Sequence, residues 1–499
     1  MKLFKPGTRF FATTGSSLLL LVLCALPSSV VHAQTPQATP PPPAAPRSAQ
    51  FPKPVEKTLP NGLRVIVISR PGTPLVTAQL VIKNGGEVDP PELAGLGNML
   101  GDLVTKGTEK RSATQIAEEV DALGGSLYSS ARWDSTRIGI DVMSPKIGPA
   151  LDILADVVRR PTFQAEEIDR LRQQTLDELT VELGEPGSIA RYVAARITFG
   201  DAPYGQPLEG TTETITRISR EDFLKYHGRW YRPDNAILVL GGDIKALNAF
   251  ALAQRYFGDW KKPATPLPVL PAPQPVAHTA ARVVVVDKAD AGQAAVMVAR
   301  AGIERTNSDY YRGLVANSVL SGYSGRLNQE IRIKRGLSYG ASSVLDTRRG
   351  VGPFVASAQT KNQSAVQVAD LLLGEVGRLG TATVPDIELN PRKAVVVGNF
   401  ARNLETNAGL VAQVASLAVY GINFSEINRY IGNAQGVTSS DVQSFASSHL
   451  DAKTTSIVIV GNAKEFLPEL RQKYPQVEVI PMAELDLNTA LLRKKQQTK

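Results

Sequence analysis

Alternating apolar residues predict short strands grouped between helical segments. Residues 76–83 (VTAQLVIK) have the pattern of a strand, and an Asn-Gly-Gly turn follows before an apolar helix begins near residue 95. A second strand is predicted at residues 63–68, directly after Asn61-Gly62. Because Asn-Gly is typical of a tight β-turn, we expect the strands at 63–68 and 76–83 to pair as an antiparallel hairpin.

Helix signals lie between the strands. Ser112 and Gln115 have the spacing of a capping box at a helix start, and a Gly-Gly pair at residues 124–125 ends that helix. Two further strands are predicted at 126–130 and 136–143, and a long helical pattern covers 165–183. The mixture predicts an α+β fold in which antiparallel sheets are covered by helices.

The same order of elements occurs twice. Residues 294–299 again have a strand pattern, followed by a turn and then a helical pattern near residue 313. Residues 236–243 (AILVLGGD) resemble residues 456–462 (SIVIVGN), at an offset of about 220 positions. This long offset predicts a duplicated domain and not an array of short repeats.

Proline-rich segments mark the boundaries of these two domains. Residues 34–50 are predicted to be a solvated spacer, and residues 262–279 a semi-rigid, extended linker. The two domains are therefore expected at 51–261 and 280–480, followed by a tail at 481–499. A chain of 499 residues exceeds what one hydrophobic core usually organises, which agrees with two domains.

The N-terminus has the pattern of a secretory signal. Three basic residues precede an apolar run at 18–26, and small residues end at Ala33. We expect residues 1–33 to be a signal peptide and the protein to be exported to the periplasm. The apolar run is short for a stable membrane span. Lipid attachment at Cys24 is the weaker alternative, because a bulky leucine precedes it.

Composition excludes several classes of function. The net charge of +8 becomes +5 without the three basic residues of the signal, and so modest an excess gives no basic surface for nucleic acid. The single cysteine lies in the signal, which leaves no disulfide, thiolate metal site or cysteine nucleophile. His227, His278 and His449 are far apart in the sequence, so they form no short histidine motif. We expect His227 to be packed or partly exposed, and assign no ligand role to any of the three.

The first candidate for chemistry is the helix at residues 95–108 (GLGNMLGDLVTKGT). It resembles the metal helix of the insulinase/pitrilysin metallopeptidases, in their mitochondrial-processing-peptidase-like branch, where H-x-x-E-H runs into a Lys-Gly-Thr turn. In that motif two histidines one turn apart bind Zn²⁺, and the glutamate takes a proton from the bound water. Here Asn98 and Asp102 stand at the histidine positions, and Gly101 stands at the glutamate position.

The resemblance places the third zinc ligand, a glutamate 76 positions beyond the second histidine, at Glu178. One ligand of three is retained and the general base is missing, so this chain is not expected to assemble the zinc site. Two other interpretations stay open. The helix could be an ordinary core helix, or Asn98, Asp102 and Glu178 could form an oxygen site for Mg²⁺ or Ca²⁺.

The second candidate is residues 325–339 (GRLNQEIRIKRGLSY). They resemble the family segment S-R-L-x-x-x-[IL]-R-x-K-R-G-L-x-Y, whose arginine and tyrosine bind the substrate backbone near the scissile bond. The resemblance gives these substrate-binding roles to Arg332 and Tyr339. A guanidinium and a phenol can donate hydrogen bonds to a peptide carbonyl that gains negative charge. The alternative is a cation on a helix surface and a tyrosine packed in a strand.

The resemblance extends over about residues 51–480 and implies two homologous domains that form a clamp around a peptide chamber. In one branch of the family the zinc motif and the Arg/Tyr pair lie on different subunits. We therefore expect a zinc-less subunit of an exported heterodimeric peptidase, with peptide substrates, no cofactor on this chain and zinc on the partner. The alternatives are a peptide-binding or scaffold protein without peptidase activity, and a hydrolase that uses another metal at the degenerate positions.

Overall fold

A computed structural model describes residues 51–276 and 281–494. The predicted signal peptide, the spacer up to residue 50 and His278 lie outside the described residues. The chain forms two six-stranded sheets covered by helices, which confirms the predicted α+β class.

The first half supplies one sheet and its covering helices. Its strands are β1 (Val55–Thr58), β2 (Arg64–Ser69), β3 (Leu75–Ile82), β4 (Ser126–Ala131), β5 (Thr136–Met143) and β6 (Ala236–Gly242). Its helices are α1 (Leu96–Leu103), α2 (Ala113–Ala122), α3 (Ile147–Arg159), α4 (Ala165–Gly184), α5 (Pro186–Phe199), α6 (Thr212–Arg217), α7 (Arg220–Trp230) and α8 (Ala246–Phe257).

The second half repeats this arrangement. Its strands are β7 (Val283–Asp287), β8 (Ala294–Ala301), β9 (Ala341–Leu345), β10 (Pro353–Thr360), β11 (Ser456–Gly461) and β12 (Glu478–Pro481). Its helices are α9 (Tyr310–Leu320), α10 (Arg326–Asn328), α11 (Ala365–Thr381), α12 (Asp386–Asn403), α13 (Asn407–Val419), α14 (Glu426–Gly436), α15 (Ser439–His449) and α16 (Leu467–Lys473). A π-helical segment, Gln329–Ile333, continues α10.

Both sheets are mixed, and one predicted strand pair is wrong. The strand orders are β1-β2-β6-β3-β5-β4 and β12-β7-β11-β8-β10-β9. Strand β6 lies between β2 and β3 and is parallel to β2, so β2 and β3 form no hairpin. The Asn61-Gly62 turn instead joins β2 to β1, a short exposed strand that hydrophobic patterning missed. Because β2 is buried along its centre, its backbone N–H and C=O groups need hydrogen-bond partners, which β1 and β6 supply on its two edges.

The local helix signals agree with the structure. The Ser112 side chain accepts a hydrogen bond from the Gln115 amide at 3.2 Å, and the Gln115 side chain accepts one from the Ser112 amide at 2.9 Å. These two bonds are the predicted capping box, and they start α2 at Ala113. Helix α4 covers the predicted long helical segment.

The two halves interlock through crossing helices. Helix α5 of the first half packs on the second sheet, where Val193 lies in one buried cluster with Val458. Helix α13 of the second half packs on the first sheet, where Val411 lies in one cluster with Ile237. Each fully buried aliphatic side chain stabilises such a contact by about 1.5–3 kcal/mol. Each half therefore completes the other's core.

A loop between β9 and β10 adds a polar connection between the halves. Arg349 donates to the Glu87 carboxylate at 3.0 Å, to the Lys83 carbonyl at 2.6 Å and to the Asp134 carbonyl at 2.9 Å. Its backbone amide donates to the Asp134 carboxylate at 2.8 Å. All of these acceptors belong to the first half, in or beside the loop that leads into α1.

The structure also describes most of the segment between the two predicted domains and most of the tail after the second. Residues 262–276 contain no helix or strand, and the carbonyls of Pro263 and Thr265 accept hydrogen bonds from the buried Arg232. The described part of the tail packs back on the first half, where Arg196 donates to the Leu487 carbonyl at 2.8 Å. No helix among the described residues is long and apolar enough to cross a membrane.

Candidate functional site

Helix α1 presents an apolar face to the core and a polar face to a cavity. Gly95 precedes the helix with a φ of +95°, a conformation that glycine adopts readily. The buried Asp89 carboxylate accepts hydrogen bonds from the amides of Gly95 and Gly97 at 3.0 and 2.9 Å, and burial raises the pKa of this carboxyl well above its usual value. These bonds satisfy amides at the start of the helix. The apolar face is formed by Leu96, Met99, Leu100 and Leu103.

The positions predicted for the degenerate zinc site come together. Asn98 and Asp102 on α1 and Glu178 on α4 line one cavity of about 360 Å³. Lys106 and Glu182 line the same cavity. The spacing taken from the sequence therefore corresponds to proximity in space.

More acidic than basic side chains line the cavity, so its negative charge is only partly compensated. Desolvation raises the pKa of Asp102 to about 6, Lys106 lowers it and the charge of Glu178 raises it. Glu178 itself accepts a hydrogen bond from Gln174 at 2.9 Å. Burial thus moves the titration of Asp102 towards mildly acidic solution.

This donor set does not fit a catalytic zinc ion. Asn98 offers a neutral amide and Asp102 a carboxylate where the motif requires two imidazoles. Among residues 51–276 and 281–494, no group of three or more His, Cys, Asp or Glu side chains is arranged to hold a metal ion. A Cβ atom at Gly101 would lie 3.0 Å from the Ala131 amide nitrogen and 3.2 Å from its Cβ. Strand β4 therefore leaves little room for a side chain at position 101, where the family motif has the glutamate that acts as general base.

Substituting Gly101 tests this close packing. We expect Gly101→Ala to lower the free energy of unfolding by about 1–3 kcal/mol, because the added methyl group presses on a hydrogen-bonded strand. Gly374, on the exposed face of α11, has no atom within 4 Å of an added Cβ, so Gly374→Ala should be neutral or stabilising by about 0.5–1 kcal/mol. Chemical denaturation of both variants measures the difference. Equal changes in the free energy of unfolding for the two variants would show that β4 shifts to accommodate the methyl group without an energetic cost.

The predicted substrate-binding arginine is exposed and carries an uncompensated charge. Arg332 lies in the π-helical segment, a backbone form found often at functional sites. Its neighbours Lys334 and Arg335 both pair with Glu330, whereas Arg332 makes no ion pair with any described residue. The Arg332 guanidinium lies 5.5 Å from the centre of the Tyr323 ring. Sequence reasoning missed Tyr323, which precedes the matched segment by two residues.

The predicted tyrosine is also exposed, so the alternative of strand packing is wrong for it. Tyr339 precedes β9, and 89% of its surface is accessible. The side chain of Ser338 accepts a hydrogen bond from the Gly340 amide at 3.1 Å, which forms a tight turn around Tyr339. Tyr339 borders a cavity of about 280 Å³, and this cavity shares no lining residue with the cavity at Asp102.

The two histidines among the described residues, His227 and His449, behave as structural residues. His227 is packed between Phe163 and Tyr231, and its Nε2 lies 2.8 Å from the Val158 carbonyl. Burial lowers the pKa of His227 to about 4, so the ring is neutral at ordinary pH. His449 contacts the Asp309 carboxylate at 3.2 Å. His227 is thus packed against aromatic rings and partly exposed, within the range that the sequence predicted.

Comparison with known proteins decides the family. The family model described as insulinase, peptidase family M16, matches residues 64–212, and the model described as peptidase M16 inactive domain matches residues 217–395. The chain belongs to the M16 peptidase family. The resemblance seen in the α1 helix and in the Arg332 segment is therefore confirmed at the level of the family.

Several relatives and solved structures are similar over most of their length. An uncharacterized zinc protease of Rickettsia bellii is 28% identical over 81% of this chain and 97% of the relative, and one of Streptomyces coelicolor is 25% identical over 82% and 89%. An M16 inactive-domain structure from Pseudomonas fluorescens has a TM-score of 0.77 at 24% identity, over 82% of this chain and 98% of that one. A protease from Helicobacter pylori has a TM-score of 0.76 at 22% identity, covering 82% and 100%. The structural matches establish the M16 fold.

Proposed function

We propose that this M16 protein is the zinc-less subunit of an exported heterodimeric metallopeptidase. Its partner carries the zinc ion, the nucleophilic water and the general base. This chain closes the peptide chamber, binds unfolded peptide by its backbone and directs Arg332 and Tyr339 to the scissile region. One contrast supports the proposal: of the three zinc-ligand positions only Glu178 is retained and the general base is missing, while both residues predicted to bind substrate are present and exposed.

The retained pair distinguishes this proposal from a scaffold role. A scaffold without substrate has no use for an exposed, unpaired guanidinium seven residues from an exposed phenol. Such groups stabilise a carbonyl oxygen that gains charge, and they are most effective when they are held before the reaction begins. The tight turn at Ser338 constrains the backbone beside Tyr339, and the Tyr323 ring lies 5.5 Å from the Arg332 guanidinium.

Reconstitution with a partner tests the proposal. The purified chain and an M16 relative with an intact H-x-x-E-H motif, from the same organism, are assayed separately and together on a quenched fluorescent peptide. We expect no cleavage by this chain alone, and chelator-sensitive cleavage by the mixture well above that of the relative alone. Cleavage by this chain alone, or a mixture no faster than the relative, would reject the subunit role.

A further inference from the structure

The cavity beside Tyr339 differs in character from the acidic cavity at Asp102. Twelve residues line it, and none of them carries a charge. Its floor is the face of the second sheet, where Ala295 and Met297 are 4% and 8% exposed. Ser342 and Ser357, a directly opposed pair on β9 and β10, supply hydroxyl groups. The cavity is neutral, partly apolar and open to solvent where Tyr339 stands.

The duplicated fold does not require the lining of such a cavity to be uncharged. In the first half a cavity of about 460 Å³ also contacts a sheet face and the first turn of a crossing helix, in that case α13. Charged residues line that cavity, among them Arg70, Asp141 and Glu405. The cavity beside Tyr339 reaches Gly187 in the first turn of α5 and contains no such residue. Its lining is therefore a property of this sequence and not of the duplicated architecture.

Gly187 lies close to the side chain of Gln359, and both residues line the cavity. A Cβ atom at position 187 would lie 2.9 Å from the side-chain amide nitrogen (Nε2) of Gln359, so a larger residue there would displace that side chain. Gln293, Ala295 and Gln359 also line a second cavity of about 290 Å³. The lining of this second cavity also includes Glu185, Lys288 and Asp290, so the uncharged lining is confined to the cavity beside Tyr339.

From the uncharged cavity beside Tyr339 we infer a specificity site, which rests on the proposed peptide binding and deepens it. The cavity accepts an uncharged side chain of the peptide that Arg332 and Tyr339 hold by its backbone. A volume of about 280 Å³ is near the lower end for ligand pockets, about 300 Å³, and suits a side chain better than a folded domain. A charged side chain would lose water without gaining a partner of opposite charge, so the cavity disfavours it.

A charge placed in the wall tests the specificity site. Fluorescent unstructured peptides, in which each position in turn carries Leu, Asp or Lys, are titrated against the purified full chain, and binding is followed by anisotropy. For the parent we expect one peptide position at which Asp and Lys each weaken binding by about tenfold relative to Leu. In Ser342→Asp, Lys at that position should bind about threefold to tenfold better than it does in the parent, while Asp binds worse.

Val344→Asp is the matched control. Val344 lies on the same strand, two residues further on and 56% exposed, but it does not line the cavity. A preference for Lys that arises with Ser342→Asp and not with Val344→Asp supports the site. Equal shifts in both variants, or no position with a charge penalty, would overturn it.

The same titrations separate this inference from the proposed function. If Tyr339→Ala weakens binding but Ser342→Asp changes no preference, the peptide-binding role stands and the specificity site is rejected. If the preference follows Ser342→Asp while the reconstituted pair does not cleave, the specificity site stands and the peptidase role is rejected. Absence of any peptide binding would overturn both.

Discussion

Replacing Arg332 by alanine in the reconstituted pair is expected to lower peptide turnover by an order of magnitude or more. The guanidinium is exposed, makes no ion pair with any described residue and lies 5.5 Å from the centre of the Tyr323 ring, so it is free to donate to a substrate carbonyl. Loss of one such donor in other hydrolases costs about 10²–10³ in kcat. Tyr339→Phe, which removes only the hydroxyl of a side chain that is 89% exposed, should have a similar effect without disturbing the fold.

Separate measurement of kcat and KM identifies the role of Arg332. An interaction made only in the transition state lowers kcat and kcat/KM together, whereas one made equally with bound substrate raises KM alone. We expect Arg332→Ala to act mainly on kcat. Lys334→Ala is the matched control, since Lys334 is a cation of the same segment that pairs with Glu330. If Lys334→Ala slowed the pair as much as Arg332→Ala, general surface charge would explain the effect.

Replacing Arg349 by methionine is expected to lower the free energy of unfolding by about 2–4 kcal/mol at pH 8, because it removes an ion pair and two further hydrogen bonds between the halves. The Glu87 carboxylate would then be buried without its partner. Glu87 is 7% exposed, and burial raises its pKa to about 7 although Arg349 lowers it.

The loss of stability in Arg349→Met should depend on pH, and the pKa of Glu87 determines the direction of that dependence. Because the pKa of Glu87 is higher in the folded chain than in the unfolded chain, its contribution to stability is full below about pH 4.5 and is lost as the pH rises through about 7. Without Arg349 the pKa rises further, so Arg349→Met should be more damaging at pH 8 than at pH 6, by about 1 kcal/mol or more. Chemical denaturation at both pH values measures the difference.

Two variants serve as controls for the Arg349 prediction. Adding Glu87→Gln to Arg349→Met removes the titrating carboxyl, so the extra loss at pH 8 should disappear. Arg335→Met breaks a partly exposed pair with Glu330 and should change stability by less than about 1 kcal/mol at either pH. A loss for Arg349→Met that is equal at pH 6 and pH 8 would show that Glu87 does not titrate in this range.

The amino-acid sequence by itself determined what the candidate sites can do. Side-chain chemistry needs no structure: an amide at Asn98, a bare backbone at Gly101 and a carboxylate at Asp102 cannot replace two imidazoles and a base. Local signals were equally direct, since the Ser112 capping box involves residues only three apart. The pattern of residues around Arg332 and Tyr339 also depends on a short segment alone.

Only the tertiary structure decided which distant residues meet. Hydrophobic alternation marked β2 and β3 but could not show that β6, about 170 residues later, lies between them. The crossing of α5 and α13, and the insertion of Arg349 beside Glu87, depend on contacts that no local pattern encodes. The physical reason is that the hydrophobic effect is not directional. The apolar pattern of a strand or helix shows that one face must be buried, but it does not specify which other element buries it.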